Sequence, residues 1–167
     1  LKLGPQIIAV DVTSDYPSYI RGLPKVSKNR TVSAETLLSF RPDLILAVAG
    51  ELSPALLAQL KSMDIRVALI DQQFTVAGLR EFIHQTAAAV GRAAAGMELV
   101  KQLDDSLGTV SAVAKSRKKI MFVYARGTGV MSVSGTATAV DAVLQLSGYK
   151  NALSGFRGYK VYNTEAL

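Results

Sequence analysis

Residues 23–46 read LPKVSKNRTVSAETLLSFRPDLIL. Ser33 is a helix-capping residue, because its hydroxyl accepts from a first-turn N–H that has no partner inside the helix. Glu35, two positions on, puts a carboxylate in that first turn, where it complements the helix dipole. Arg41-Pro42-Asp43 ends the helix, and an apolar strand, Leu44 to Ala49, follows. The last nine residues, YKVYNTEAL at 159–167, repeat the signal, with Asn163 as cap, Glu165 two positions on, and then leucine. Two acids at the same offset from a cap predict two matching lobes, each presenting one glutamate at a helix start.

The rest of the chain extends this pattern. Ile7 to Val12 reads as a buried strand and TSDYPSY at 13–19 as a turn-rich loop. Ser53-Pro54 starts a second helix, with Pro at its first position and Leu56, Leu57, Leu60 and Met63 on its apolar face. Ile65 to Ile70 is the next strand. Alternating strands and helices predict an α/β fold with a parallel sheet. From Val76 to about Lys115 the spacing is helical, with Leu79, Phe82, Ile83, Ala87 and Val90 on one face, a break at Gly91, and Met97, Val100, Leu103, Leu107 and Val110 resuming it. That segment reads as a helical spine between lobes. Beyond it, Lys119 to Ala125 and Val130 to Val133 read as strands, and Thr138 to Leu146 as a helix closed by Gly148.

Composition bounds the function. The 167 residues are 49% hydrophobic and 19% charged, which disfavours disorder. No apolar run reaches the length of a membrane-spanning helix. Both ends read as cut, Leu1 just before a strand and Leu167 within a helix, so the absence of a signal peptide says nothing of compartment. The lack of cysteine is compatible with export. The net charge of +6 is uneven: residues 21–30 hold four basic residues and no acid, and KSRKK at 115–119 holds four in five. Such a surface favours anionic partners. Nucleic acid is disfavoured, since aromatics make up 7% of the chain and Trp is absent.

Catalytic chemistry is thinly represented. There is no cysteine nucleophile, the one histidine, His84, sits in a helical pattern that suits a structural role, and no His/Asp/Glu set has metal-ligand spacing. ARGTGVMSVSG at 125–135 lacks phosphate-loop spacing and reads as a hairpin or turn. Gly91 and Gly96 have no phosphate role.

VDVTSDYP, LPKV and TVSAETLLSFRPDLILA together resemble the N-terminal lobe of periplasmic substrate-binding proteins with a rigid helical spine, the receptors of ABC importers for haem, cobalamin and siderophores. Residues 119–167, KIMFVYARGTGVMSVSGTATAVDAVLQLSGYKNALSGFRGYKVYNTEAL, resemble the second lobe of the haem branch, in which a GT-x-x-x-DA-x-L-x-L-x-G helix precedes an aromatic GYK segment. Its elements stand here at Gly135, Thr136, Asp141, Ala142, Leu144, Leu146 and Gly148, then Gly158, Tyr159 and Lys160. The resemblance implies two Rossmann-like lobes: residues 1–75, a spine over 76–117, and 118–167 as the start of a second lobe only partly present. It implies an exported, periplasmic protein, with no catalysed reaction and no catalytic cofactor. Haem would be the transported ligand, held in the cleft between lobes, and an inner-membrane ABC permease the partner. Glu35 and Glu165 match the acids that the family presents to permease arginines.

The expected ligand site departs from the family at one position. Haem-binding relatives carry Gly-Tyr-x-Arg after LP-x-V, with the tyrosine phenolate on ferric iron. This chain has Ser27-Lys28-Asn29-Arg30, so Arg30 matches and Lys28 replaces the tyrosine. Phenolate is a hard anionic ligand for ferric haem. A lysine amine ligates only when deprotonated, against an ordinary pKa of about 10.4. Three explanations stand open. Tyr16, Tyr19, Tyr124 or Tyr159 supplies a phenolate, with Tyr16 favoured by its loop; or apolar burial holds haem while Lys28, Arg30 and Arg126 neutralise its propionates; or the ligand is another anionic chelate, so that any metal ligand is unknown. The alternatives in function are a cobalamin or ferric-siderophore receptor, an α/β enzyme using Asp15 or Asp71, and an interaction module.

Overall fold

The computed structural model describes residues 1–27, 32–109, 116–126 and 130–162. Helix α1 (Ala34–Ser39) starts at Ser33, whose side chain accepts from Thr36 N. Strand β1 (Ile45–Val48) follows, then α2 (Pro54–Ser62), capped by Ser53 on Leu56 N, and β2 (Val67–Ile70). The two strands pair in parallel, Ile45 opposite Val67 through Val48 opposite Ile70, as a strand–helix–strand unit requires. Ala34, Leu37, Leu56 and Leu60 form a buried cluster against which Ile45, Ile65 and Val67 pack.

Helices α3 (Val76–Ala89) and α4 (Ala93–Thr109) meet at Gly91, where the chain takes φ +67°. Gly91 N donates to Ala88 O at 3.0 Å and Arg92 N to Ala87 O at 2.7 Å. These two bonds form a Schellman turn, which satisfies the last carbonyls of α3 and requires the left-handed conformation that glycine adopts without penalty. Arg80 and Asp104 join α3 to α4 by an exposed ion pair at 2.8 Å.

The remaining elements are β3 (Lys119–Ile120), β4 (Val123–Arg126), β5 (Val130–Ser134), α5 (Ala139–Leu146), β6 (Lys150–Asn151) and β7 (Tyr159–Tyr162). β3 pairs with β6 in parallel, while β4, β5 and β7 form an antiparallel sheet in that order. Thr138 caps α5 by accepting from Asp141 N, and Gly148, at φ +77°, closes it with the same two-bond turn found at Gly91. The chain forms two compact units, Leu1–Asp71 with His84–Gly96 and Gln72–Ile83 with Met97–Leu167, so α3 and α4 each contribute to both.

The α/β expectation is met, and three strand readings are revised. Residues 7–12 form no strand: Val10 makes one isolated parallel bridge, to Lys25, and Ile7, Ile8 and Val12 are exposed. Pro24 accepts from Val10 N but has no N–H to extend the ladder, and Asp11 turns the chain away through Thr13 and Ser14. Residues 119–125 divide between two sheets, β3 pairing with β6 and β4 with β5. The GYK segment opens β7, a strand that periodicity did not indicate. The strands on either side of residues 127–129, β4 and β5, pair antiparallel, in line with the hairpin or turn expected there.

Candidate functional site

The expected binding residues that are described, Tyr16, Arg126 and Tyr159, fall on two segments. In the first, Tyr16 stands at the tip of the 11–17 loop, 86% exposed, before Pro17. The loop is braced from inside: Asp11 accepts from Thr13 N at 2.7 Å and from the hydroxyls of Thr13 and Ser14. Lys25 Nζ donates to Ser14 O at 2.6 Å, and Arg21 Nε to Asp15 O at 3.0 Å. Lys25 and Arg21 are thereby engaged with loop backbone, Arg21 through the Asp15 carbonyl. These bonds hold a short polar loop in one shape and leave its aromatic side chain outward.

Partial burial pushes the Asp11 carboxyl up, but the Ser14 and Thr13 hydrogen bonds and the Lys25 ammonium outweigh it and hold the group below its ordinary 3.8. A lowered folded pKa stabilises above the unfolded value, and that contribution is lost as pH falls through the folded one. Asp11→Asn is therefore expected to cost about 1 kcal/mol or less at neutral pH, the carboxylate being exposed and screened. The gap from wild type should close below pH 3.8. Thermal melts of both proteins across that range check it; a gap that persists in acid would show that the charge of Asp11 is irrelevant to the loop.

The second segment is the β4–β5–β7 sheet. Tyr124, Ser132 and Val161 lie directly across from one another, and Tyr159, opposite Ser134, is two residues from Val161. Residues in register or two apart share a face. Tyr124, Tyr159 and Val161 thus occupy one face, at 48%, 52% and 79% exposure. This face, which also holds Ser132 and the buried Ser134, carries two phenols beside Val161, the chemistry that suits an aromatic ligand with a polar edge. Arg126 ends β4, with its backbone paired to Val130.

Glu35 is exposed in the first turn of α1, as presentation to a partner requires. Lys28, Arg30 and Glu165 lie outside the described residues, as does the expected helix start at Asn163. His84 is exposed on α3, and Asp71 is exposed and paired with Gln85. Sequence reasoning missed the bracing role of Asp11 and Lys25, although an Asp two residues before Thr in a turn-rich loop is a side-chain-turn signal.

The family model for periplasmic binding proteins matches residues 1–167. The chain belongs to the periplasmic binding protein family. Among solved structures, it is similar to the periplasmic heme-binding protein BhuT in complex with two hemes, at 36% identity and a TM-score of 0.83, over 96% of this chain and 63% of that one. Among curated relatives, it is 24% identical to an uncharacterized ABC transporter substrate-binding lipoprotein, YvrC of Bacillus subtilis, over 100% of this chain and 55% of the relative. It is 25% identical to a vitamin B12-binding protein of Pectobacterium atrosepticum, over 91% of this chain and 56% of the relative. The chain therefore spans about half the length of these curated family members.

Proposed function

We propose that this chain is the larger part of an exported binding protein that captures haem and hands it to an ABC permease, without catalysing a reaction. The observation that carries the reading is its similarity, over nearly its whole length, to a periplasmic binding protein solved with two hemes. In this reading residues 1–75 and 118–167 belong to two lobes, 76–117 connect them, and haem lies between. The exposed phenols of Tyr16, Tyr124 and Tyr159 supply candidates for a ligand to ferric iron. The exposed sheet face offers apolar contact to the porphyrin, and the net charge of +6 favours a ligand bearing two carboxylates. Lys28, Arg30 and Arg126 are assigned to the propionates. Glu35 and Glu165 are assigned to permease arginines, where exposed ion pairs set register more than affinity.

A hemin titration of the full-length protein tests the reading. Wild type is expected to give a saturable Soret shift whose band positions report a phenolate ligand, and Lys28→Tyr is expected to bind at least about tenfold tighter, the scale of one added strong ligand contact. No shift in either folded protein would overturn haem. Cobalamin is the second reading, because a curated relative of similar identity is a vitamin B12-binding protein. Saturable binding of cyanocobalamin without any hemin response would establish it instead.

A further inference from the structure

Asp141 is the one carboxylate buried among the described residues, at 6% exposure. It is the third residue of α5, after the Thr138 cap, where an acid ordinarily reaches back to the cap's own N–H and closes a capping box. Here only half of that arrangement forms: Thr138 Oγ1 accepts from Asp141 N at 3.0 Å. The carboxylate turns elsewhere, accepting from Gln145 Nε2 at 2.9 Å and Asn151 Nδ2 at 3.2 Å. Among the described residues it makes no ion pair, and its desolvation is offset by these two amide donors, an arrangement costly to disturb.

Asn151 carries the connection onward. Its Nδ2 also lies 3.1 Å from Gly135 O and 3.2 Å from Ser134 O. An amide nitrogen with two hydrogens shared among three acceptors is held in one orientation. Thr138 Oγ1 donates to Gly135 O at 3.2 Å and lies 2.7 Å from Ser134 Oγ. The 134–136 turn so fixed is laced to the segment before β7. Gly135 N donates to Gly158 O at 2.8 Å, Thr136 N to Phe156 O at 2.9 Å, and Gly158 N to Thr136 O at 2.9 Å. Thr136 Oγ1 adds a bond to Phe156 O at 2.9 Å. The next residue along is Tyr159.

We propose that Asp141 is a positioning residue: through Asn151 and the Gly135 carbonyl it sets the place of residues 156–159, and so of Tyr159 on the ligand-facing sheet. The ligand half of this inference rests on the haem reading. A helix dipole alone needs none of it, because an exposed acid such as Glu35 serves a first turn equally well.

The test uses the full-length protein with Asp141→Asn, which keeps the shape but sets an amide donor against the donors of Asn151 and Gln145. Amide exchange at Gly135, Thr136 and Gly158 is expected to quicken at least about tenfold, the scale of one hydrogen bond to a charged group, while β1 and β2 stay protected. Hemin affinity is expected to fall about tenfold in the wild-type background and by less than about threefold in Tyr159→Ala, since residues acting in one chain are not additive. Unchanged exchange, or equal losses in both backgrounds, would overturn the proposal. If Asp141→Asn does not fold, Asn151→Ala cuts the same link and Gln145→Ala, which leaves it intact, serves as the control. A wild type that binds no hemin overturns the haem reading, and the exchange data alone then decide the positioning role.

Discussion

Leu60→Ala is expected to cost about 3–5 kcal/mol, toward the upper end for buried leucine truncations. Leu60 is fully buried, at 0% exposure, in the cluster with Ala34, Leu37 and Leu56. Removing three carbons there leaves a void that α1, α2, β1 and β2 would have to collapse around. The backbone resists that collapse at this point: Leu60 O accepts from Met63 N and Ile65 N, at 3.2 and 3.1 Å, in the turn that ends α2. Ile65 packs against the same cluster, so the turn and the side chain hold each other. Urea denaturation of the full-length protein checks the value. Leu46→Ala on β1, at a site 45% exposed, is the comparison, expected to cost under about 1.5 kcal/mol by lost partial burial alone. Similar losses at both sites would mean that the cluster is not the core of its unit.

Gly135→Ala is expected to destabilise by about 2–4 kcal/mol and to loosen β7. A Cβ at residue 135 would lie 2.4 Å from Phe156 O and 2.6 Å from two carbons of the Phe156 ring. Turning the ring would leave the clash with the carbonyl, which is held by both the backbone and the hydroxyl of Thr136. Relief therefore requires parting the 135–136 turn from residues 156–158, which forfeits the three backbone bonds between them. Gly155→Ala, one residue before the same segment, meets nothing within 4 Å and should leave stability within about 0.5 kcal/mol. Denaturation midpoints compare the two. A neutral Gly135→Ala would mean that the turn and the segment before β7 are not in close contact.

The same contact marks how far the sequence could be read. Ser33, Ser53 and Thr138 were legible as helix starts, and Gly91 and Gly148 as helix breaks, because each acts on backbone within five residues of itself. The parallel pairing of β1 and β2 was legible from the alternation of apolar strands with an amphipathic helix between them. In the candidate site, Tyr16 was legible as a loop residue and Glu35 as a first-turn acid. The division of 119–125 between two sheets was not, since no turn residue interrupts KIMFVYA and nothing local marks which half pairs with Asn151 and which with Val133. Nor did residues 7–12 betray that Pro24 would leave them a single bridge.

Asp141 shows the division most plainly. Its place in GT-x-x-x-DA was visible as a motif, and as a helix-start acid it resembled Glu35. Local chemistry fixed that much, because capping and helical periodicity depend on neighbours a few bonds away. Only the tertiary structure decided that one carboxylate faces water while the other is buried against Asn151, and that Tyr124, Tyr159 and Val161 share one exposed face. Those outcomes depend on pairings across 8 to 29 residues of chain, where many registers satisfy the same local preferences and packing selects among them.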